Sequence, residues 1–133
     1  LMEYIPSMEW TIEFDEDCSV WFESIELPVQ NEILAALKVL RQLGPSLGRQ
    51  RVDSVKGSKH SNMKELRVQC KGSPWRILFA FDPDRKAILL VGGDKAGDER
   101  FYKTNIPIAD ARFDKHLEEL KEAKRKLKKE YGK

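Results

Sequence analysis

NMKELRVQC (62–70), PWRILFAFDP (74–83) and KAILLVGGDKAGDERFY (86–102) follow one another with only tight turns between them. Side chains alternate across a strand, so in the first run Leu66, Val68 and Cys70 share one face and Glu65, Arg67 and Gln69 the other. In the second, Trp75, Ile77, Phe79 and Phe81 oppose Arg76, Leu78 and Ala80. Ala87 to Val91 is apolar throughout, as in a central strand buried on both faces, and Gly92-Gly93-Asp94 ends it. Lys71-Gly72-Ser73-Pro74 and Asp82-Pro83-Asp84-Arg85 read as turns, the latter with proline at its second position. Arg67, Arg76, Lys95 and Tyr102 are set among residues that otherwise read as core. Cations there need a reason, because desolvating a charge is costly unless something pairs with it. Residues on neighbouring antiparallel strands stand as close as roughly 5 Å, so Arg67 and Arg76 repel unless an anion lies between them. A concave face that holds phosphate is one answer. Ion pairs with Glu65, Asp82 or Asp94 are the other, and spacing alone leaves both open.

Outward from this core, Met8 to Phe14 alternates apolar and polar residues and reads as a strand with one buried face. Asp15 to Ser19 reads as a turn and Val20 to Ile25 as a short helical turn. Pro28 fits the first position of a helix, in which Val29, Ile33, Leu37 and Leu40 recur at helical spacing, with Ala36 and Leu43 widening the stripe. Gly44-Pro45 ends it. Ser46 to Arg51 reads as a loop, Val52 to Val55 as a short strand, and Gly57 to Asn62 as a loop or hairpin turn. Pro107 is expected to begin a last helix with Phe113, Leu117, Leu120, Leu127 and Tyr131 as its stripe. The order predicts an α+β fold, a small antiparallel sheet with a mixed edge and its helices gathered on one face.

The length of 133 residues suits a single domain over 1–133. With 41% hydrophobic and 35% charged residues the chain reads as globular and not disordered. No apolar run approaches the roughly 20 residues of a membrane span. LMEYIPSMEWTIEF lacks the order of a secretory signal, and Leu1 ahead of Met2 is set aside as a remnant or an alternative start. Cys18 and Cys70 form no CxxC pair, which fits the cytoplasm better than a disulfide framework and leaves zinc without a ligand set. The net charge of +2 conceals a split. Residues 1–48 hold nine acids against Lys38 and Arg41, a net of −7, while residues 49–133 hold 22 bases and 13 acids, a net of +9. That asymmetry points to an anionic partner or to a solvated basic helix in KEAKRKLKKEYGK.

NMKELR, WRILFAFDP, AILLVGGDKAGDERFY and IPIADARFDKHL, in that order, together with LGPSLGRQRVDSVKGSKHSNMKELR, make the chain resemble the HigB-type toxins of the phage-derived Gp49-like group, within the RelE superfamily. The resemblance covers about Phe14 to Leu120. It implies the toxin of a type II toxin–antitoxin system, a ribosome-dependent endoribonuclease that cuts messenger RNA in the ribosomal A site and needs no metal or other cofactor. It further implies a cognate helix-turn-helix antitoxin, HigA-like, that silences the toxin in a hetero-oligomer. Carried over by position, the site residues are Arg67, Arg76 after Trp75, Lys95 after the glycine turn, and Tyr102, which stacks on a base. Lys59, Lys64, Arg100 and Lys103 are the further cations set against RNA. The chain departs from RelE itself in having Glu65 where a second strand cation is expected, and a longer loop at Lys71 to Pro74.

Metal-free RNA cleavage uses the 2′-hydroxyl as an internal nucleophile. Its proton must be removed, a dianionic phosphorane stabilised and the 5′ oxygen protonated. Preorganised cations contribute most, and arginine's planar fork suits phosphate. Arg76 is the expected clamp, with Arg67 and Lys95 as secondary stabilisers. Tyr102 could share in proton transfer if a nearby cation lowers its pKa.

Other residues have plainer readings. His60 is expected exposed in a polar turn, His116 as packing or capping, and Trp10, Trp21 and Trp75 as core. Gly92-Gly93 lacks a nucleotide-loop pattern, and Asp53 and Asp94 lack partners for a metal site. A non-catalytic RNA- or ribosome-binding module is an alternative. So is a module whose terminal helix, with Leu117, Leu120 and Leu127, docks an acidic antitoxin segment. No helix-turn-helix spacing supports DNA binding.

Overall fold

Lys71 and Gly72 take φ of 50° and 82°, the left-handed pair that a two-residue hairpin turn requires. In the computed structural model, which describes residues 9–48 and 50–132, this turn joins β3 (Met63–Cys70) to β4 (Ser73–Phe81), and Asp82 to Arg85 joins β4 to β5 (Lys86–Asp94). Ser73 and Pro74 are therefore strand residues, paired with Cys70 and Gln69, and the longer loop expected at Lys71 to Pro74 is a tight turn. Asp82 holds the second turn: its Oδ1 accepts the backbone N–H of Asp84 at 2.8 Å and of Lys86 at 2.9 Å. The remaining elements are β1 (Thr11–Phe14), α1 (Glu16–Ser24), α2 (Leu27–Leu43), a 3₁₀ turn at Gly44–Ser46, β2 (Val52–Ser54) and α3 (Phe101–Tyr131). The sheet runs β1-β5-β4-β3-β2, with β1 parallel to β5 and the other pairs antiparallel. Met8, where the first strand was expected to start, lies outside the described residues, as does Arg49 of the expected loop.

The helices lie on both faces of this sheet. Ile33, Leu37 and Leu40 of α2 and Cys18 of α1 bury against Leu66, Val68, Ile77, Phe79 and Leu89. Ile106, Ala109 and Phe113 of α3 bury against Met63, Leu78, Ala80, Ile88 and Leu90 on the opposite face. The expected arrangement with all helices on one face is thus corrected, and the reason is hydrophobic: Leu78, Ala80, Ile88 and Leu90 form a second apolar face that must also leave water.

Three boundaries moved for identifiable reasons. Asp15 is an N-cap, its Oδ2 accepting from Asp17 N–H at 3.0 Å and Cys18 N–H at 3.1 Å, so the expected turn at Asp15 to Ser19 is the first part of α1. Pro28 is the second residue of α2, where the missing N–H is still harmless. α3 starts at Phe101, well before Pro107, which lies inside it and removes a single helical bond. Leu43 is 47% exposed and does not widen the stripe of α2.

Gly44 ends α2 at φ 52° with the Trp10 indole pressed against its Cα. A Cβ there would fall inside the ring. Gly44→Ala is expected to destabilise the fold by about 2–4 kcal/mol, from left-handed backbone strain plus overpacking, read as a lower urea midpoint at unchanged slope.

Candidate functional site

Arg67 and Arg76 are direct cross-strand partners on β3 and β4. Both stand on the α3 face, beyond the part that Ile106, Ala109 and Phe113 cover. The backbone opposite Arg76 is Gly93 of β5. A Cβ on Gly93 would approach the Phe101 ring to 3.2 Å, so the missing side chain lets the first turn of α3 seat low on the sheet. That turn carries Tyr102 to the two arginines.

Tyr102 is the hub. Its Oη donates to Glu65 Oε2 at 2.6 Å, the Arg76 guanidinium lies beside the same hydroxyl, and Lys95 Nζ sits 5.2 Å from the ring centroid, within cation–π reach. Arg67 Nε donates to Glu65 Oε1 at 3.1 Å and its Nη2 to Asp53 Oδ2 at 3.1 Å. Asp53 and Glu65 are paired across β2 and β3, so Arg67 bridges two opposed carboxylates. Arg76 Nη1 donates to the Trp75 carbonyl at 3.0 Å. Its Nε is buried without a hydrogen-bond partner among the described residues, an exception among buried polar groups.

Two grooves flank the Tyr102 ring. One, of about 290 Å³, is lined by Asp53, Ser54, Lys56, Glu65 and Arg67. The other, of about 480 Å³, is lined by Lys95, Gly97, Asp98 and Glu99. The four residues singled out in the sequence are therefore in one place. The ion-pair alternative holds for Arg67, which takes Glu65 and Asp53. Among the described residues Arg76 makes no ion pair with Asp82 or Asp94.

Burial, then the bond to Glu65 and its charge, push the Tyr102 phenol up, and the neighbouring Arg76 offsets this only in part. The expectation that a cation lowers this pKa is corrected, and Tyr102 is a proton donor at neutral pH. Its folded pKa lies above the unfolded value of 10.0. The stability it contributes is therefore complete below about pH 10 and lost as pH rises through the folded value. Spectrophotometric titration of the folded chain is expected to show one tyrosine ionising later than free tyrosine. Glu65→Gln should bring that transition back down, and a Tyr102 transition unmoved by Glu65→Gln would contradict this account.

The further cations divide. Arg100 and Lys103 are exposed at the start of α3, beside Tyr102. Lys64 projects to the opposite face, where its Nζ donates to Ser54 Oγ at 3.0 Å, in a groove with Pro45, Leu47 and Phe81. Lys59 pairs with Asp114 at 2.7 Å, which raises the lysine pKa and lowers the carboxyl's. Asp114 is twelve residues beyond Tyr102 on α3, about 18 Å along the helix. The structure thus separates Lys59 and Lys64 from Tyr102.

His60 is not an exposed turn residue. Its Nε2 lies 2.7 Å from Asp114 Oδ1 and its ring meets Phe113 edge-on. His116 Nε2 lies 2.7 Å from the buried Asp82 Oδ2, tying α3 to the β4–β5 turn. Trp21 and Trp75 pack part-buried on the first core. Glu65, 4% exposed, is the residue whose place in the site the sequence reading missed. The available signal was an acid alternating with Arg67 on an otherwise buried strand.

With this geometry in hand, comparison with known proteins is informative. A family model described as "Phage derived protein Gp49-like" matches residues 20–114. A Mycobacterium tuberculosis protein named as the toxin HigB2 is 43% identical over 125 residues, 92% of this chain and 62% of that protein. The chain thus spans less than two thirds of HigB2. Another from the same organism, named as the toxin HigB3, is 50% identical over 98 residues, 73% of this chain and 84% of that protein. Among solved structures, an Escherichia coli RelE toxin variant in the free state aligns with a TM-score of 0.51 at 13% identity, over 71% of this chain and 92% of RelE. The RelE–RelB complex of Pyrococcus horikoshii aligns with a TM-score of 0.51 at 12% identity, over 68% of this chain and 99% of the matched chain. At such identities these two likenesses speak for the fold alone.

Proposed function

Since this chain belongs to the phage-derived Gp49-like family, we propose that it is the toxin of a type II toxin–antitoxin pair and a ribosome-dependent endoribonuclease. Residues 1–133 act as one toxin domain. It cuts translated messenger RNA in the A site by 2′-hydroxyl attack, without a metal. The observation that carries this reading is the set of cations around Tyr102, whose ring lies between two open grooves.

Arg76, beside the Tyr102 hydroxyl, clamps a phosphodiester laid against that ring with a planar guanidinium that never deprotonates. The 2′-oxygen bonds to phosphorus and the bond to the 5′-oxygen breaks. Glu65 takes the 2′-hydroxyl proton and the Lys95 ammonium returns one to the 5′-oxygen, leaving a 2′,3′-cyclic phosphate and a 5′-hydroxyl. Arg67 is held by Glu65 and Asp53 and adds positive charge to the phosphorane. The Tyr102 ring stacks on a base, a contact worth about 1–3 kcal/mol, while its raised pKa keeps the hydroxyl a donor. Arg100 and Lys103 hold flanking phosphates, and Lys59 and Lys64 have no part in this site.

The proteins named HigB2 and HigB3 and the RelE–RelB neighbour support an antitoxin partner. We assign to this chain a HigA-like helix-turn-helix antitoxin, a hetero-oligomer and a cytoplasmic place of action. Among the described residues no helix is long and apolar enough to cross a membrane.

Mapping messenger RNA 5′ ends after brief induction tests the reading. New 5′ ends inside translated regions, absent when translation is blocked, are the expected result. Arrested growth with intact transcripts would overturn it in favour of a binding-only toxin. Cuts that persist without translation would remove the ribosome from the mechanism.

A further inference from the structure

α3 has 31 residues, about 46 Å of helix, yet only its first half covers the sheet. Phe101, Ile106, Ala109 and Phe113 are buried, and Leu117 packs part-buried at the edge of that core. The apolar pattern does not stop there. Leu117, Leu120, Lys124, Leu127 and Tyr131 follow at intervals of 3, 4, 3 and 4 residues, the spacing of a two-stranded helical seam. Leu127 is 59% and Tyr131 78% exposed. This seam continues the face that α3 buries against the sheet.

Its electrostatics select an occupant. Lys124 interrupts the seam, and Lys121 and Lys128 flank it on one side. A second copy is a poor partner. In a parallel pair Lys124 would meet its own counterpart, and in an antiparallel pair Lys121 would meet Lys128. The carboxylates now nearby are weakly placed. Glu118 lies 3.8 Å from Lys121 and Asp84 lies 3.0 Å from Lys124, both in exposed pairs, which contribute little and exchange readily. A facing helix that brings leucines to the seam and glutamates to its flank would satisfy both halves of the pattern.

We propose that the projecting half of α3 docks an acidic amphipathic helix of a partner protein, with its leucines against Leu120, Leu127 and Tyr131 and its glutamates against Lys121, Lys124 and Lys128. The inference is independent of the cleavage reading. Leu120 is about 27 Å along the helix from Tyr102, so docking and cleavage can fail separately.

The test titrates the full chain into a labelled synthetic helix carrying leucines at 3-4 spacing and glutamates on its flanks, read by anisotropy. Saturable binding is expected, weakened about tenfold or more by Leu120→Ser with Leu127→Ser. Lys121→Glu with Lys128→Glu should reverse the preference toward a lysine-flanked version of the peptide. Unchanged unfolding midpoints would show that these variants leave the body folded. Absence of binding to the wild type would overturn the proposal. So would a serine variant that binds as well as wild type, because a polyanion such as RNA needs the lysines but not the leucines. Self-association of the wild type, lost in the serine variant, would overturn it in favour of a second copy.

Discussion

Arg76→Ala is expected to lower the rate of messenger RNA cleavage about 10²–10³-fold, the usual loss when one preorganised donor to a developing oxyanion is removed. The reason is positional. Arg76 stands opposite Gly93 of β5, and it lies beside the Tyr102 hydroxyl while its Nε–H has no acceptor among the described residues. Folding should survive, because the side chain makes no ion pair among the described residues. Arg76→Lys restores the charge but not the fork, so it should recover only part of the rate. Single-turnover cleavage on programmed ribosomes reads this directly. A variant that cleaves within a few-fold of wild type would move the phosphate clamp to another residue.

Phe113→Ala is expected to be the most damaging substitution outside the site. Phe113 is 2% exposed and fills the core between α3 and the sheet. It also receives the His60 ring edge and stacks near His116. Truncating such a ring costs about 3–5 kcal/mol, against about 5–15 kcal/mol of total stability for a domain. Because Phe113 holds the helix that carries Tyr102, activity should fall as well. Denaturant unfolding measures the first effect. Restoration of cleavage on cooling, as the folded population recovers, would separate it from any direct role in chemistry.

Much of this was legible in the chain. Alternation along 62–94 placed Arg67 and Arg76 on the same face, and the resemblance to HigB-type toxins is borne out by the Gp49-like match. Alternation also placed Lys64 opposite Arg67, which argued against grouping it with the site. The apolar run Ala87 to Val91 already required cover on both faces, and α3 supplies it. What stayed hidden depended on register and tertiary contact. Asp53 reaches Arg67 only because β2 pairs with β3 so that Asp53 faces Glu65. Lys59 and His60 are captured by Asp114, fifty-odd residues away in sequence. The Tyr102 pKa rises through burial and then through its bond to Glu65, neither of which spacing carries.

The parallel pairing of β1 with β5 joins Thr11 to Lys86 and Phe14 to Leu89. Contacts between such distant segments form late, because loop closure must precede them. During synthesis the first strand leaves the ribosome early and waits, edge unpaired, until β5 is made. Tyr102 follows β5 in the chain, so the cluster it makes with Glu65, Arg67 and Arg76 closes only after all five strands have been made.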